Sequence, residues 1–377
     1  MVSQLSFEGY TLGHIDSVCD LLAETLATKA IQLDNGAIFN FKVAYSNKTF
    51  IIFGQYSAMK KLTEDKMREI LQTELSSIGY NQLVSFVFYL ENKCGVLANM
   101  LNERRFDYHS SDHCVTTGYA TNETQEYLPL GQVLIKWLTT KMFEVSQQQG
   151  SIFTPDGKCT LVIEYEDEEP KRIDSVSIAL SHKPEADIET IRKEISTKII
   201  DPFFRYVYST FKLEIIGCFV NPVHPFISNL QNDAGCSGNK ISTNLYGSQI
   251  PIQDVTLTGK DCRDIDRVAT YYSRYIAKNI VAAGLADKCK VTLCFGINMP
   301  QPYSLQVDFY GTNRLPLDRI NKAIDKSFSF KPAEMARELD LLSLDFNAVF
   351  KHSNFYSSDD NFKWEQTDRV TNLKRNL

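Results

Sequence analysis

The sequence lacks the long apolar run of a membrane span and the basic excess of a general nucleic-acid surface. No stretch reaches the roughly 18 apolar residues that a spanning helix needs, and the first residues show no basic region followed by an apolar run. Acidic side chains outnumber basic ones by 46 to 40, and the formal net charge is −6. We therefore expect a cytoplasmic protein with neither a membrane nor a nucleic acid as its partner.

A disulfide framework is also not indicated. The nine cysteines are odd in number and scattered, and no two of them form a C-x-x-C pair. This spacing gives no zinc site either. We interpret the cysteines as reduced thiols that mostly fill the core.

The 377 residues are too many for one ordinary core and instead show a repeated pattern. Apolar residues at helical spacing predict helices over 16–33, 63–79, 131–148, 187–200, 264–285 and 317–328. Alternating residues predict hairpins over 37–56, 159–180 and 290–311 and strands over 83–90 and 212–220. This order predicts an α+β protein of three repeated units, 1–103, 104–225 and 226–377.

Three stretches show no clear periodicity. They are residues 91–125, residues 221–263 and the tail after Phe350. We expect them to be irregular, and loops of this length are usually functional or disordered.

The segment TLGHIDSVCD, residues 11–20, places His14 and Asp16 just ahead of the first predicted helix. Asp16 could cap that helix, because a carboxylate accepts the free N–H groups of the first turn and suits the positive end of the helix dipole. The alternative is that the pair forms part of a site. The segment alone favours the cap.

Seven motifs occur in collinear order along nearly the whole chain. They are GHIDSVCD at 13–20, GYATNET at 118–124, PDGK at 155–158, NDAGCSGNK at 232–240, TGKDCRDIDR at 258–267, YIAKNIVAAGLAD at 275–287 and FKWEQTD at 362–368. With them the chain resembles the methionine adenosyltransferase, or S-adenosylmethionine synthetase, family. The resemblance implies three α+β repeats with pseudo-threefold symmetry and a dimer whose sheets face each other, with two active sites in the interface.

The resemblance also implies a reaction. In this family the methionine sulfur attacks C5′ of ATP, the triphosphate leaves, and it is hydrolysed to pyrophosphate and phosphate. Such a leaving group demands several cations in a closed pocket. The implied phosphate-binding and catalytic residues are His14, Lys158, Lys240 and Lys260. Asp16 and Asp266 are implied magnesium ligands, because carboxylate oxygens suit that hard ion.

Four further residues match the family around the other parts of the substrates. Asp112 and Asp233 correspond to acidic residues around the nucleoside and methionine. Phe226 and Ile297 correspond to the apolar groups that sandwich adenine. The resemblance thus implies ATP and methionine as ligands.

Without the family match, several of these residues have ordinary interpretations. Lys158 could be a solvated strand flank, Asp266 a first-turn helix acid and Phe226 a core residue. His113 beside Asp112 looks like an acid–base pair, but such neighbours are common in loops.

Several positions depart from the family pattern. Relative to the family, Ser17 and Asp264 replace lysines, Asn239 replaces an arginine, Lys42 and Gln55 replace glutamates, and Cys94 falls where a gating-loop glutamine is expected. The glutamate at position 42 helps to hold potassium in the family, so the resemblance predicts that a half-site with Lys42 does not require potassium. The glutamate at position 55 faces the methionine amine. A homodimer of this chain should therefore be a poor enzyme or an inactive one.

Three hypotheses follow. The first is an enzyme subunit that shares active sites with a more typical family subunit. The second is a catalytically inactive paralogue that regulates or stabilises an intact synthetase. The third is an active homodimer with altered ligands. We favour the first, because a partner could supply missing groups to a site that spans the interface.

Overall fold

A computed structural model of the protein describes residues 2–92, 108–221, 226–228, 230, 233–355 and 362–377. The described strands are β1 (Val2–Tyr10), β2 (Ile38–Ser46), β3 (Thr49–Ser57), β4 (Ser85–Glu91), β5 (Cys114–Thr121), β6 (Phe153–Glu166), β7 (Glu169–His182), β8 (Ile215–Val220), β9 (Gly235–Cys236), β10 (Lys288–Phe295) and β11 (Ser304–Asp308). The α-helices are α1 (Ile15–Leu33), α2 (Glu64–Ser77), α3 (Leu130–Ser146), α4 (Ile188–Ile195), α5 (Asp201–Phe211), α6 (Ile241–Leu245), α7 (Ile265–Ala282), α8 (Leu317–Ser327), α9 (Pro332–Glu338), α10 (Phe346–His352) and α11 (Val370–Asn376). A π-helical turn, Ser196–Ile200, joins α4 to α5, and 3-10 turns cover Leu341–Ser343 and Lys363–Glu365.

The strands form three sheets, and each sheet contains one strand from a distant part of the chain. The strand orders are β1-β6-β7-β8, β11-β10-β5 and β4-β3-β2-β9. Strand β1 pairs antiparallel with β6, so that Tyr10 lies opposite Lys158. In the same way, β5 pairs antiparallel with β10 in the second sheet, and β9 pairs antiparallel with β2 in the third sheet. Each sheet therefore depends on two separate stretches of sequence.

One helix covers each sheet. Helix α1 packs on β2 and β9, α3 on β6 and β1, and α7 on β5 and β10. Helices α1 and α7 are buried almost all round, which is typical of helices inside a large core rather than on its surface. The larger apolar core includes both of these helices, and a second core lies between α3, β6, β7 and α4–α5.

A buried ion pair connects the two interior helices. The guanidinium of Arg267 donates to both carboxylate oxygens of Glu24, at 3.1 and 2.8 Å. Arg267 is 0% exposed and Glu24 2%. The pair therefore joins the middle of α1 to the first turn of α7.

The structure confirms the α+β class and the predicted helices and hairpins, with ends that differ by a few residues. Thr63 caps α2, and its hydroxyl accepts from the backbone N–H of Lys66. No helix in the described ranges is both long enough and apolar enough to cross a membrane. The three unit boundaries, the pseudo-threefold relation and the dimer stay predictions.

The irregular stretches were wrongly predicted in part. Strand β5 lies inside 91–125, β9 and α6 lie inside 221–263, and the tail after Phe350 contains a 3-10 turn and α11. Strand β5 shows no alternation because nearly all of its residues are buried. Strand β1 was not predicted, and the helix predicted over 187–200 continues through the π-helical turn into α5.

Candidate active site

His14 ends the loop between β1 and α1 and is the N-cap of α1. Its Nδ1 accepts a hydrogen bond from the backbone N–H of Asp16 at 3.3 Å. The side chain is only 4% exposed. Burial lowers the pKa of His14 to about 4, and the ammonium of Lys158 adds to the effect. The imidazole is therefore neutral at pH 7, and since Nδ1 accepts, Nε2 carries the proton and can donate it to a ligand.

Asp16 is not the helix cap, so that expectation was wrong. Its Oδ1 accepts from the backbone N–H of Cys236 at 2.9 Å and from the amide of Asn239 at 3.1 Å. Its Oδ2 lies 3.5 Å from the ammonium of Lys240. The imidazole nitrogen of His14 reaches the first-turn N–H instead, which leaves the carboxylate to hold the 235–240 segment against α1.

Tyr10, the last residue of β1, is a member of this cluster that the sequence did not reveal. The ammonium of Lys240 lies 4.2 Å from the centre of the Tyr10 ring, and that ring lies 4.6 Å from the His14 ring. Burial disfavours the charged form of Lys240, but Tyr10 and Asp16 outweigh burial and raise its pKa. The only sequence signal is that Tyr10 immediately precedes the histidine segment.

Lys158 and Phe226 lie on the other side of His14. Lys158 is exposed on β6, and its ammonium lies 6.0 Å from the centre of the half-buried Phe226 ring. The carboxylate of Asp233 accepts from the N–H of Ala234 at 2.8 Å and opposes the lowering of the His14 pKa. Phe226 is thus available to a ligand and is not a core residue.

A second cluster surrounds Lys260 at the start of α7. Its ammonium contacts the carboxylate of Asp266 and lies 3.6 Å from that of Asp264. Asp264 is the N-cap of α7 and accepts from the N–H of Asp266 at 3.0 Å. Burial disfavours the ammonium, yet the two carboxylates outweigh it and raise the pKa of Lys260.

Lys42 and Asp20 lie beside this second cluster. The ammonium of half-buried Lys42 donates to Thr256 Oγ1 at 3.0 Å, and burial together with nearby Lys260 lowers its pKa. The buried carboxylate of Asp20 accepts from the N–H of Gly238 at 2.7 Å. Burial raises the pKa of Asp20 to about 7. Asp20 stands in the GHIDSVCD motif, but its role was not predicted.

Asp112 and Ile297 are exposed and lie close together through His113. The N–H of His113 donates to Asp112 Oδ1 at 2.7 Å, and its Nδ1 accepts from the N–H of Ile297 at 2.9 Å. His113 therefore contacts the Asp112 carboxylate through its backbone, which agrees with the interpretation of the two residues as ordinary loop neighbours. Ser111 accepts from the N–H of Ile265 at 3.1 Å, which puts this segment beside the second cluster.

Gln55 is exposed on β3, opposite Asn40 of β2. Asn40 in turn forms a backbone bridge with Lys260. Gln55 therefore lies on the strand next to the one that borders the second cluster. Cys94 lies outside the described residues.

The carboxylates offer oxygen ligands but no complete metal cage. Within the described ranges, no three His, Cys, Asp or Glu side chains are grouped to hold a metal ion. Magnesium is usually bound by one or two carboxylates together with substrate phosphates and water. Asp16 beside Lys240 and Asp266 beside Lys260 offer the one or two carboxylates that this kind of site needs.

Both family models that match this chain describe domains of the same family. The model of the S-adenosylmethionine synthetase central domain matches residues 107–226, and the model of its C-terminal domain matches residues 227–366. Among similar proteins, the S-adenosylmethionine synthase of Finegoldia magna is 30% identical over 99% of both chains. That of Syntrophobacter fumaroxidans is 31% identical over 97% of this chain and 96% of its own. That of Clostridium botulinum is 27% identical over 98% of both.

Proposed function

Because this chain belongs to the S-adenosylmethionine synthetase family, we propose that it is a methionine adenosyltransferase subunit. It would form S-adenosylmethionine from ATP and methionine, release pyrophosphate and phosphate, and share its active sites with a more typical family subunit. The observation that carries the proposal is that Lys240, which lies far along the sequence from His14 and Asp16, joins them in one cluster.

The two clusters match the charge that the reaction develops. A leaving triphosphate gathers negative charge, and fixed cations lower the barrier when they are already in place. Lys158 and Lys240 supply such cations around a neutral His14, whose Nε2–H can donate to a phosphate oxygen. Asp16 and Asp266 are the residues that would hold magnesium, which supplies further positive charge against the triphosphate when it is bound.

The substitutions around Lys260 support a working pocket. Relative to the family, position 42 changes from acid to base and position 264 changes from base to acid. Both groups lie near Lys260. Lys260 lowers the pKa of Lys42, and Asp264 raises the pKa of Lys260. The two changes preserve the total charge of the second cluster, and we expect Lys42 to replace a soluble potassium ion there.

The methionine end of the site supports sharing with a partner. Gln55 cannot offer a carboxylate to the methionine ammonium, and such a charge-assisted bond contributes roughly 1.5 to 3 kcal/mol. An intact subunit has the missing group and could supply it to a site in a common interface. A second copy of this chain, the other partner that the sequence suggests, would bring another Gln55 and no carboxylate.

A second candidate function is a catalytically inactive paralogue that regulates or stabilises an intact synthetase. It is favoured by Lys260, whose charge is already balanced by two carboxylates. An ammonium held in this way has less attraction left for a phosphate.

One experiment separates the two functions. This chain is co-expressed with an intact family subunit, and Lys260→Ala and Asp266→Asn are introduced here only. We expect S-adenosylmethionine synthesis to collapse while light scattering still shows the dimer. Lys326→Ala and Asp325→Asn, on the exposed side of α8, are matched controls that should retain activity. Full synthesis by the first pair of variants would support the inactive paralogue and contradict the shared site.

A further inference from the structure

A cavity of about 430 Å³ lies behind the candidate active site. Its walls are the end of β1, helix α3, the end of α2 and residues 350–355. Cavities of 300 to 1,000 Å³ are the usual size of small-molecule sites. Most of the lining is apolar, and it includes Leu12, Ile78, Ile135, Phe143 and Leu245.

Lys136 of α3 brings a positive charge to this apolar wall. Its ammonium lies 3.4 Å from the backbone oxygen of Lys351. Over the ranges that the structure describes, no carboxylate lies within ion-pair distance of it. Burial alone lowers the pKa of Lys136 to about 8. The Lys136 side chain is half-buried, so its ammonium loses part of its hydration without gaining an opposite charge, and an anion in the cavity would offset this loss.

Gln132, one turn earlier on the same helix, is held in the wall of the cavity, because its amide nitrogen donates to the backbone oxygen of Thr243.

We propose that this cavity is a second ligand site, which binds a small organic acid with an apolar body. The carboxylate pairs with Lys136, and the body packs on the apolar wall. Tyr10 and Ser17 also line the cavity, and the ring of Tyr10 lies against Lys240 and His14 of the candidate active site. An acid bound here therefore contacts the back of the active site and does not occupy it.

The test is calorimetric titration of the full chain with 4-phenylbutyrate and with the neutral 4-phenylbutanol, which share an apolar body. We expect the acid to bind, and Lys136→Met to weaken its binding by about tenfold or more, because one charge-assisted bond is lost. Lys141→Met, one turn further on and paired with Glu144 at the surface, should leave the binding of the acid unchanged. The alcohol should bind equally to the wild type and to Lys136→Met, which shows that the variant keeps its cavity.

The location is tested by Thr140→Trp, which puts a bulky ring on an exposed residue of the cavity lining. We expect this variant to lose the binding of both compounds. The proposal is overturned if the wild type does not bind the acid, if Lys136→Met binds it as well as the wild type does, or if Thr140→Trp has no effect.

Discussion

The ammonium of Lys240 lies 4.2 Å from the centre of the Tyr10 ring. A cation over an aromatic face is stabilised by about 0.5 to 2 kcal/mol. Replacing Tyr10 with Leu removes this support, so we expect a non-hydrolysable ATP analogue with magnesium to bind roughly fivefold more weakly. Calorimetric titration measures the change.

Tyr10→Phe is the matched control for this prediction. It keeps the ring under Lys240 and removes only the hydroxyl, so it should retain most of the affinity. An equal loss in the Phe and Leu variants would assign the effect to the hydroxyl and contradict a role for the ring.

We predict that synthesis at the half-site that Lys42 faces does not require potassium. The tethered ammonium lies near Asp20 and Lys260, and its positive charge opposes the binding of a soluble cation there. Rates of S-adenosylmethionine synthesis in sodium and potassium buffers should be equal. Lys42→Glu should make the rate depend on potassium, and a strong potassium requirement in the unmodified chain would refute the prediction.

The ion pair of Glu24 and Arg267 is predicted to be a major contribution to stability. Glu24→Gln leaves a buried guanidinium without its counter-charge, which should lower the free energy of unfolding by about 3 to 5 kcal/mol. Urea unfolding followed by circular dichroism measures it. As a control, Glu69→Gln breaks the exposed pair with Lys66 and should cost less than about 1 kcal/mol. Similar losses in both variants would contradict the prediction.

The buried carboxylate of Asp20 predicts an unusual pH dependence of stability. Burial raises its pKa from 3.8 to about 7, so the folded chain holds a proton that the unfolded chain releases between these values. The contribution of Asp20 to the free energy of unfolding therefore falls as pH rises from about 4 to 7, by at most about 1.4 kcal/mol per pH unit.

His14 acts in the opposite direction, because its pKa is lowered to about 4 and its contribution rises with pH up to about 6.5. Asp20→Asn removes only the first effect. The free energy of unfolding of this variant should thus rise more steeply with pH than that of the wild type. Urea titrations between about pH 4.5 and 7.5 measure both curves, and parallel curves would contradict the assignment to Asp20.

The sequence predicted those elements whose signals are local. The hydroxyl of Thr63 and the apolar spacing after it specify α2, and the alternation on both sides of Asp167 and Glu168 specifies the β6–β7 hairpin. Strand β5 has no such signal. Gly118 packs so closely on the backbone of Ser273 in α7 that a side chain would clash at 2.0 Å. The small residues of β5 allow this close contact with α7, and they show no alternation of polarity that would mark a strand in the sequence.

The candidate site was predicted only as a set of residues. Collinear motifs identified His14, Asp16, Lys240 and Lys260, but no motif shows that the first three lie in one cluster and Lys260 in another. That grouping depends on strand pairing between distant segments. Tyr10 and Lys136 were missed for the same reason, because each gains its chemical interest from neighbours that only the tertiary structure supplies.

The pairing of strands from distant parts of the chain also determines when each sheet can form during synthesis. Strand β1 leaves the ribosome well before its partner residues in β6, which begin with Lys158, opposite Tyr10. At roughly 5 to 20 residues per second, the intervening stretch of about 150 residues takes on the order of 10 to 30 seconds to translate. During that interval the apolar side of β1 and its hydrogen-bonding edge lack their β6 partner, which leaves them open to pairing with another chain.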